Sequence, residues 1–218
     1  MTNSKTATKT PQQPVQARAI ETRARIIEVA MKTFAERGYD GANTRDIADE
    51  AGATHGAIRY HFGTKEELWK KTIETMFHQL RMDVYGEDGT ELLNIKDPVK
   101  SMREFLSRYI RYSANNPDHA RIMISESVRG GPRLEWMAEN FIKPAHKILM
   151  KETQKQIKSG LLPDLPPVSM FYIIVSMCQM PFVLSKEIKL LHKLDLQKNP
   201  AIEQHIDAVM AVLVRNGS

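Results

Sequence analysis

One cysteine, Cys178, is too few for an internal disulfide, so burial and hydrogen bonding must hold the fold, as suits a reducing compartment. That cysteine sits in an apolar run, which predicts a buried thiol rather than a redox sensor. Glycine and proline are sparse, 11 of each in 218 residues, which excludes collagen-like and low-complexity classes. The seven histidines are scattered, and no two stand four residues apart as a helical zinc site would need. HExxH, CxxC, GxSxG, P-loop and dinucleotide glycine patterns are all missing. No metal or cofactor is therefore expected, and a helical enzyme is the weakest of the alternatives.

Long hydrophobic runs are lacking too. The most apolar stretch, Met170 to Leu184, is broken by Ser176, Gln179 and Pro181. It falls short of the roughly twenty residues that span a bilayer. Residues 1–17 have no apolar core of a secretory signal. A soluble, cytoplasmic protein is expected. Charge is not extreme: a net +5 and a pI near 9.2 mildly favour polyanionic partners without histone-like basicity. Alternating strand patterns of useful length and internal repeats are absent, which leaves an all-α chain.

What is present is punctuation for about nine helices. Residues 1–17 are polar, with Pro11 and Pro14, and read as a disordered basic arm. Lys5, Lys9 and Arg18 could serve such an arm against phosphates or a minor groove, and an ordinary frayed terminus fits the same residues equally well. From Arg18 the apolar positions Ile20, Ile27, Ala30, Met31 and Phe34 recur at three and four residues, and Gly38 offers a stop. Thr64 with Glu67 forms a capping box for a helix running toward Tyr85, and Gly86 to Asp97 reads as a connector. Beyond it, Asp97-Pro98, Pro117, the break Arg129-Gly130-Gly131-Pro132, Leu165-Pro166-Pro167 and Asn199-Pro200 each start a helix. Pro144 should kink or divide the segment ending at Gly160, and Pro181 should bend one long helix that reaches about Lys193.

Between Asn43 and Lys65 the chain reads as two short helices about a tight turn. Ile47, Ala48, Ala51, Ile58 and Phe62 supply an apolar seam, and Gly52 stands where the chain reverses. Asn43 or Thr44 can cap the first helix and Thr54 the second. Such a helix-turn-helix presents its second helix to a major groove. Thr44 and Arg45 lie at the first turn of the supporting helix, where free amides favour a phosphate. Arg45 also has a fork that matches a guanine edge. Thr54, His55 and Ala57 begin the reader helix, with His55 the best candidate for a base contact.

The set Thr44, Ile47-Ala48, Ala51-Gly52, Gly56, Ile58 to Phe62 and Thr64 to Leu68 resembles the signature of the TetR/AcrR family of bacterial transcriptional regulators. The match is dense and covers about the first third of the chain. The resemblance implies an N-terminal three-helix DNA-binding domain over residues 18–64 and a connecting helix over 65–85. A larger ligand-binding and dimerisation bundle would follow over 97–218. Tyr60, His61 and Lys65 match family positions that anchor the sugar-phosphate backbone, although Tyr60 or His61 could equally pack the small domain. Position 59 departs from the pattern: an aromatic residue is usual and Arg59 stands here, still able to hold a phosphate with charge assistance.

By the same resemblance the bundle encloses a small-molecule pocket, and the partners are a double-stranded DNA operator, a second copy of the chain and an unidentified effector. Candidate pocket residues are Met102, Phe105, Leu106, Tyr109, Met123, Phe141, Phe171 and Tyr172; core packing competes with that reading at each. The last two helices carry more apolar surface than one packed face requires, which favours a homodimer joined through them. The function expected is a dimeric repressor released from a palindromic operator by its effector. A DNA-bound scaffold that recruits another protein, and an activator, are the alternatives.

Overall fold

The computed structural model describes residues 13–87 and 91–215. Lys5, Lys9 and the rest of the expected arm through residue 12 lie outside the described residues. No strand occurs among the described residues, and the helices form two compact units divided between Thr72 and Ile73.

The first unit opens with α1 (Gln13–Gly41), so Gln13 to Arg18 are helical rather than part of a disordered arm. Pro14 sits in the first turn, where its missing N–H leaves no bond unmade. Gly38 (φ 67°) kinks α1 one turn before its end, a left-handed backbone that glycine adopts without strain. Then come α2 (Thr44–Glu50), α3 (His55–Phe62) and α4 (Lys65–Tyr85), whose first two turns belong to this unit. Ile26, Ile27, Ala30 and Phe34 of α1 bury one face at helical spacing. Ile47, Ala48, Ile58, Phe62, Leu68 and Trp69 complete the small core. Phe34 stacks on Tyr39 at 6.1 Å, and Tyr39 meets the edge of Trp69 at 6.2 Å. At the start of α4, Thr64 Oγ1 accepts from Glu67 N at 3.1 Å, the bond that its capping box predicts.

In the second unit a short 3-10 turn (Glu91–Asn94) precedes α5 (Pro98–Asn115), and Asp97 caps α5 by accepting from Val99 N and Lys100 N. Next are α6 (Pro117–Arg129) and α7 (Pro132–Met137), parted by Gly130 and Gly131, both at positive φ. A wide π turn (Ala138–Ile142) leads into α8 (Lys143–Lys158), where Lys143 N reaches back five residues to Ala138 O. Pro144 therefore falls in the first turn of α8, and the segment is divided just before it, where the wide turn resets the ladder.

The long bent helix expected from Leu165 to Lys193 is two helices, α9 (Pro167–Val183) and α10 (Ser185–His192), at 64° about Leu184. Pro181 stays inside α9. It has no N–H for the Met177 carbonyl four residues earlier, and His205 Nε2 donates to that oxygen at 2.9 Å. His205 belongs to α11 (Asn199–Leu213), so the proline vacancy is turned into a tie between helices. Asn199 is the first residue of α11 rather than its cap; Lys198 holds that position with extended backbone. The core packs Leu106, Ile110 and Ala114 of α5 against Met170, Ile174, Cys178 and Phe182 of α9 and Ile202, Ile206, Val209 and Leu213 of α11. Cys178 is fully buried, and burial pushes its thiol up to about 12, which keeps it protonated and unreactive.

Candidate nucleic-acid interface

The reader begins with one side-chain bond: Asn43 Oδ1 accepts from Arg45 N at 2.8 Å and fixes the start of α2. At the other end Ala51 N returns to Ile47 O, Gly52 N to Asp49 O and Ala53 N to Ala48 O at 2.9–3.1 Å. Gly52 (φ 62°) makes that closure possible, because a side chain there would be strained. Buried Ile47 and Ala48 meet buried Ile58 and Phe62, which sets α3 against α2.

Struts from α1 hold this pair. Arg25 Nε donates to Ala51 O at 3.3 Å, Lys32 pairs with Glu50 at 3.2 Å and Arg37 pairs with Asp46 at 3.0 Å. Arg23 lies over the Phe62 ring, 5.2 Å from its centroid. Arg23, Arg25, Lys32 and Arg37 of α1 are thus engaged with α2 and α3. By contrast, the exposed guanidinium groups of Arg45 and Arg59 make no hydrogen bond or ion pair among the described residues. Unpaired cations beside an exposed helix start attract a polyanion at long range.

The remaining predicted residues divide. Thr54 occupies the cap position of α3, but its side chain makes no cap bond, so the hydroxyl is not tied to the helix. His55 is exposed, and its Nε2 lies 2.9 Å from Asp49 Oδ1. An exposed pair of this kind contributes at most about 1 kcal/mol, so it orients the imidazole without locking it. Ala57 and Thr44 are half-buried. Tyr60 is 81% exposed and its ring rests on His61, with centroids 4.9 Å apart. His61 is half-buried between Tyr60 and Phe62. Lys65 is turned toward α1, with Nζ 4.6 Å from the Tyr39 ring centre and 3.5 Å from Asp40 O.

A cavity of about 250 Å³ lies within the second unit. Met102, Phe105, Tyr109 and Phe171 line it, with Leu149, Glu152, Gln156 and Val175 among the neighbours that sequence reading passed over. Leu106, one residue on from Phe105 along α5, belongs to the core. Met123 is half-buried on α6, Phe141 stacks on Phe77 at 4.7 Å, and Tyr172 is 57% exposed. A periodic pattern shows which residues point inward but not whether they meet a neighbour or a void. The clue available for α8 is its spacing, since 149, 152 and 156 recur at three and four residues.

Two family profiles match the chain. The one described as "Bacterial regulatory proteins, tetR family" covers residues 26–71, and "YcdC-like protein, C-terminal region" covers residues 79–217, well over half of the chain. The chain belongs to the TetR family.

The family is one of bacterial regulatory proteins, and the curated relatives that match this chain are transcriptional regulators and repressors. The chain is 26% identical over 113 residues to the HTH-type transcriptional repressor NicS of Pseudomonas putida, which covers 52% of this chain and 51% of that protein. It is 32% identical over 117 residues to the HTH-type transcriptional repressor AcnR of Corynebacterium glutamicum, 53% of this chain and 56% of that one. The chain spans about half the length, or less, of the curated relatives it matches. Among solved structures, HlyIIR, a hemolysin II transcriptional regulator, superposes with a TM-score of 0.64 at 24% identity over 91% of this chain and 99% of that one. The ketosteroid transcriptional regulator KstR2 of Mycobacterium tuberculosis gives 0.66 at 21% identity over 89% of this chain and 95% of that one. Both share its TetR fold. No single helix among the described residues is long and apolar enough to cross a membrane.

Within the TetR pattern Arg59 is the departure, and its freedom gives a prediction. Arg59→Ala should weaken operator binding about tenfold and lower the slope of log K against log salt by about one. Unchanged affinity and slope in binding titrations at several salt concentrations would remove Arg59 from the interface.

Proposed function

We propose that this TetR-family regulator works as a homodimeric repressor that leaves a two-fold symmetric operator when a small molecule enters the cavity of the second unit. The observation that carries the reading is the contrast on the reader: Arg25, Lys32 and Arg37 of α1 are engaged with α2, while Arg45 and Arg59 stand exposed and unpaired among the described residues. In this reading residues 18–64 address DNA, residues 65–85 form the connecting helix, and residues 97–218 bind effector and dimerise. Arg45, His55 and Ala57 meet base edges, while Thr44, Thr54, Arg59, Tyr60, His61 and Lys65 hold the backbone. The protein is cytoplasmic, and nucleoid-associated when bound.

Support for the dimer comes from two exposed stripes. On α9, Val168, Tyr172, Ser176 and Met180 recur every four residues and face solvent without a charge among them. On α11 the exposed residues include Ala208, Ala211 and Val212, small enough for close helix approach. Pairing both stripes with their copies makes a four-helix interface. Two heads then address major grooves about 34 to 36 Å apart, and an effector that favours a mismatched spacing by a few kcal/mol releases the DNA. Ile122 to Pro132, with Glu126 and Arg129, is the segment assigned to relay that change.

Selection of bound sequences from a random DNA pool tests the whole reading. A two-fold symmetric motif is expected; no enriched motif at low salt would overturn it. A second prediction concerns the interface alone. Ala208→Arg places a charge in each copy of the stripe and should raise the dimer dissociation constant tenfold or more, as light scattering across a dilution series will register. An unchanged constant would move the interface elsewhere.

A further inference from the structure

The ionisable lining of the cavity is one-sided. Among the described residues that line it Glu152 is the only carboxylate, and none is Lys, Arg or His. Along α8, Ile148 and Leu149 are followed one turn later by Glu152 and Thr153 and then by Gln156, so polarity rises along a single helical stripe. Opposed to that stripe is an aromatic wall. Tyr85 and Phe105 have centroids 6.1 Å apart, and Phe105 and Tyr109 are 5.9 Å apart. Burial raises the hydroxyl pKa of both tyrosines, so they face a ligand as neutral phenols. Ile148 is 66% exposed, and the Glu152 side chain is 43% exposed, so the cavity opens to water beside α8. The basic group recorded near Glu152 is Lys155, at 3.8 Å and 73% exposed, a loose surface pair that a better-placed cation can displace.

We infer that the cavity selects a monocationic amphiphile, an apolar or aromatic body carrying one protonated amine, with its ammonium on Glu152 and its body against the wall of Tyr85, Phe105 and Tyr109. The inference rests on the proposed effector role of the cavity. Three features discriminate. An anion finds no cation in the lining and meets the Glu152 carboxylate. A neutral molecule gains the apolar contact alone. A cation gains the same apolar contact and, in addition, a charge-assisted hydrogen bond to Glu152.

Three probes with one skeleton separate the terms: 4-phenylbutylamine, protonated at neutral pH, 4-phenylbutanol and 4-phenylbutyrate. They are titrated calorimetrically into the full chain, into Glu152→Gln, and into Val175→Trp or Leu149→Trp, which fill the cavity; circular dichroism establishes that each variant is folded. The amine should bind about tenfold more tightly than the alcohol, and the carboxylate more weakly than either. Glu152→Gln should abolish the amine's advantage and leave the alcohol within twofold. Equal affinities for amine and alcohol, or an advantage that survives Glu152→Gln, would overturn the charge assignment. In that case alcohol binding that is lost in the filled variants keeps the cavity as the effector site. Binding by none of the three would overturn both.

Discussion

Arg133→Ala should destabilise the second unit by about 3 kcal/mol, because it leaves a carboxylate buried without its counter-charge. Glu126 sits in the last turn of α6, only 3% exposed, and Arg133 Nε donates to both of its oxygens at 3.2 and 3.0 Å. Between them the chain turns through Gly130 and Gly131, so the pair closes the α6–α7 corner that the backbone bond from Gly130 N to Glu126 O begins. The penalty is asymmetric. Removing the arginine strands a buried charge, whereas removing both charges strands nothing and keeps the volume. Glu126→Met with Arg133→Met should therefore recover most of the loss. Urea unfolding of wild type, Glu126→Met, Arg133→Met and the double variant makes a thermodynamic cycle, with Arg133→Ala measured beside it. Equal losses in Arg133→Ala and the double variant would show that packing, and not the pair, holds this corner.

Local signals were legible in the sequence, and they were legible because each depends on residues a few positions apart. Asn43, Thr64 and Asp97 cap their helices as their side chains allow, and Gly52, Gly130 and Gly160 turn the chain at positive φ where the periodicity stops. Signals that need a partner from far along the chain were not legible. Thr54 has the right chemistry for a cap, yet its side chain makes no such bond. Whether Pro181 bends its helix depends on who satisfies the Met177 carbonyl, and the answer, His205, is 28 residues away. The same limit applies to the candidate site. The exposed face of α3 followed from its short-range pattern, but the link from His55 to Asp49 needed the α2–α3 angle. On α5, Phe105 reaches the cavity and its neighbour Leu106 fills the core, a difference of one residue in phase. Glu152 looked like a surface acid on a polar helix, and only the neighbouring helices give it a cavity to face.

His119 should make the second unit lose stability as the pH falls from 6.5 toward 4. Its ring is 3% exposed, with Phe77 at 5.3 Å and Tyr112 at 5.6 Å, and burial draws its pKa down to about 4 from the usual 6.5. The Tyr112 hydroxyl lies 2.8 Å from His119 Nδ1 and 3.3 Å from Met76 O. With the proton on Nδ1, the imidazole donates to the hydroxyl and the hydroxyl donates to Met76 O, so both bonds form and α4, α5 and α6 are joined by one buried chain. The folded pKa is below the unfolded one, so the unfolded chain takes up the proton first as pH falls. Stability is therefore fully present above pH 6.5, falls between 6.5 and about 4, and is constant again below that. Over this interval the loss approaches about 3 kcal/mol, of which about 2 kcal/mol is gone by pH 5. His119→Asn keeps a donor near Tyr112 but cannot titrate, so it should be less stable at pH 7.5 and lose less between pH 7.5 and 5. Subtracting its urea unfolding free energies from those of wild type at the two pH values isolates the His119 contribution from the other six histidines. A difference that does not change with pH would mean that His119 binds its proton equally well in the folded and the unfolded chain, and would overturn the acid sensitivity assigned to it.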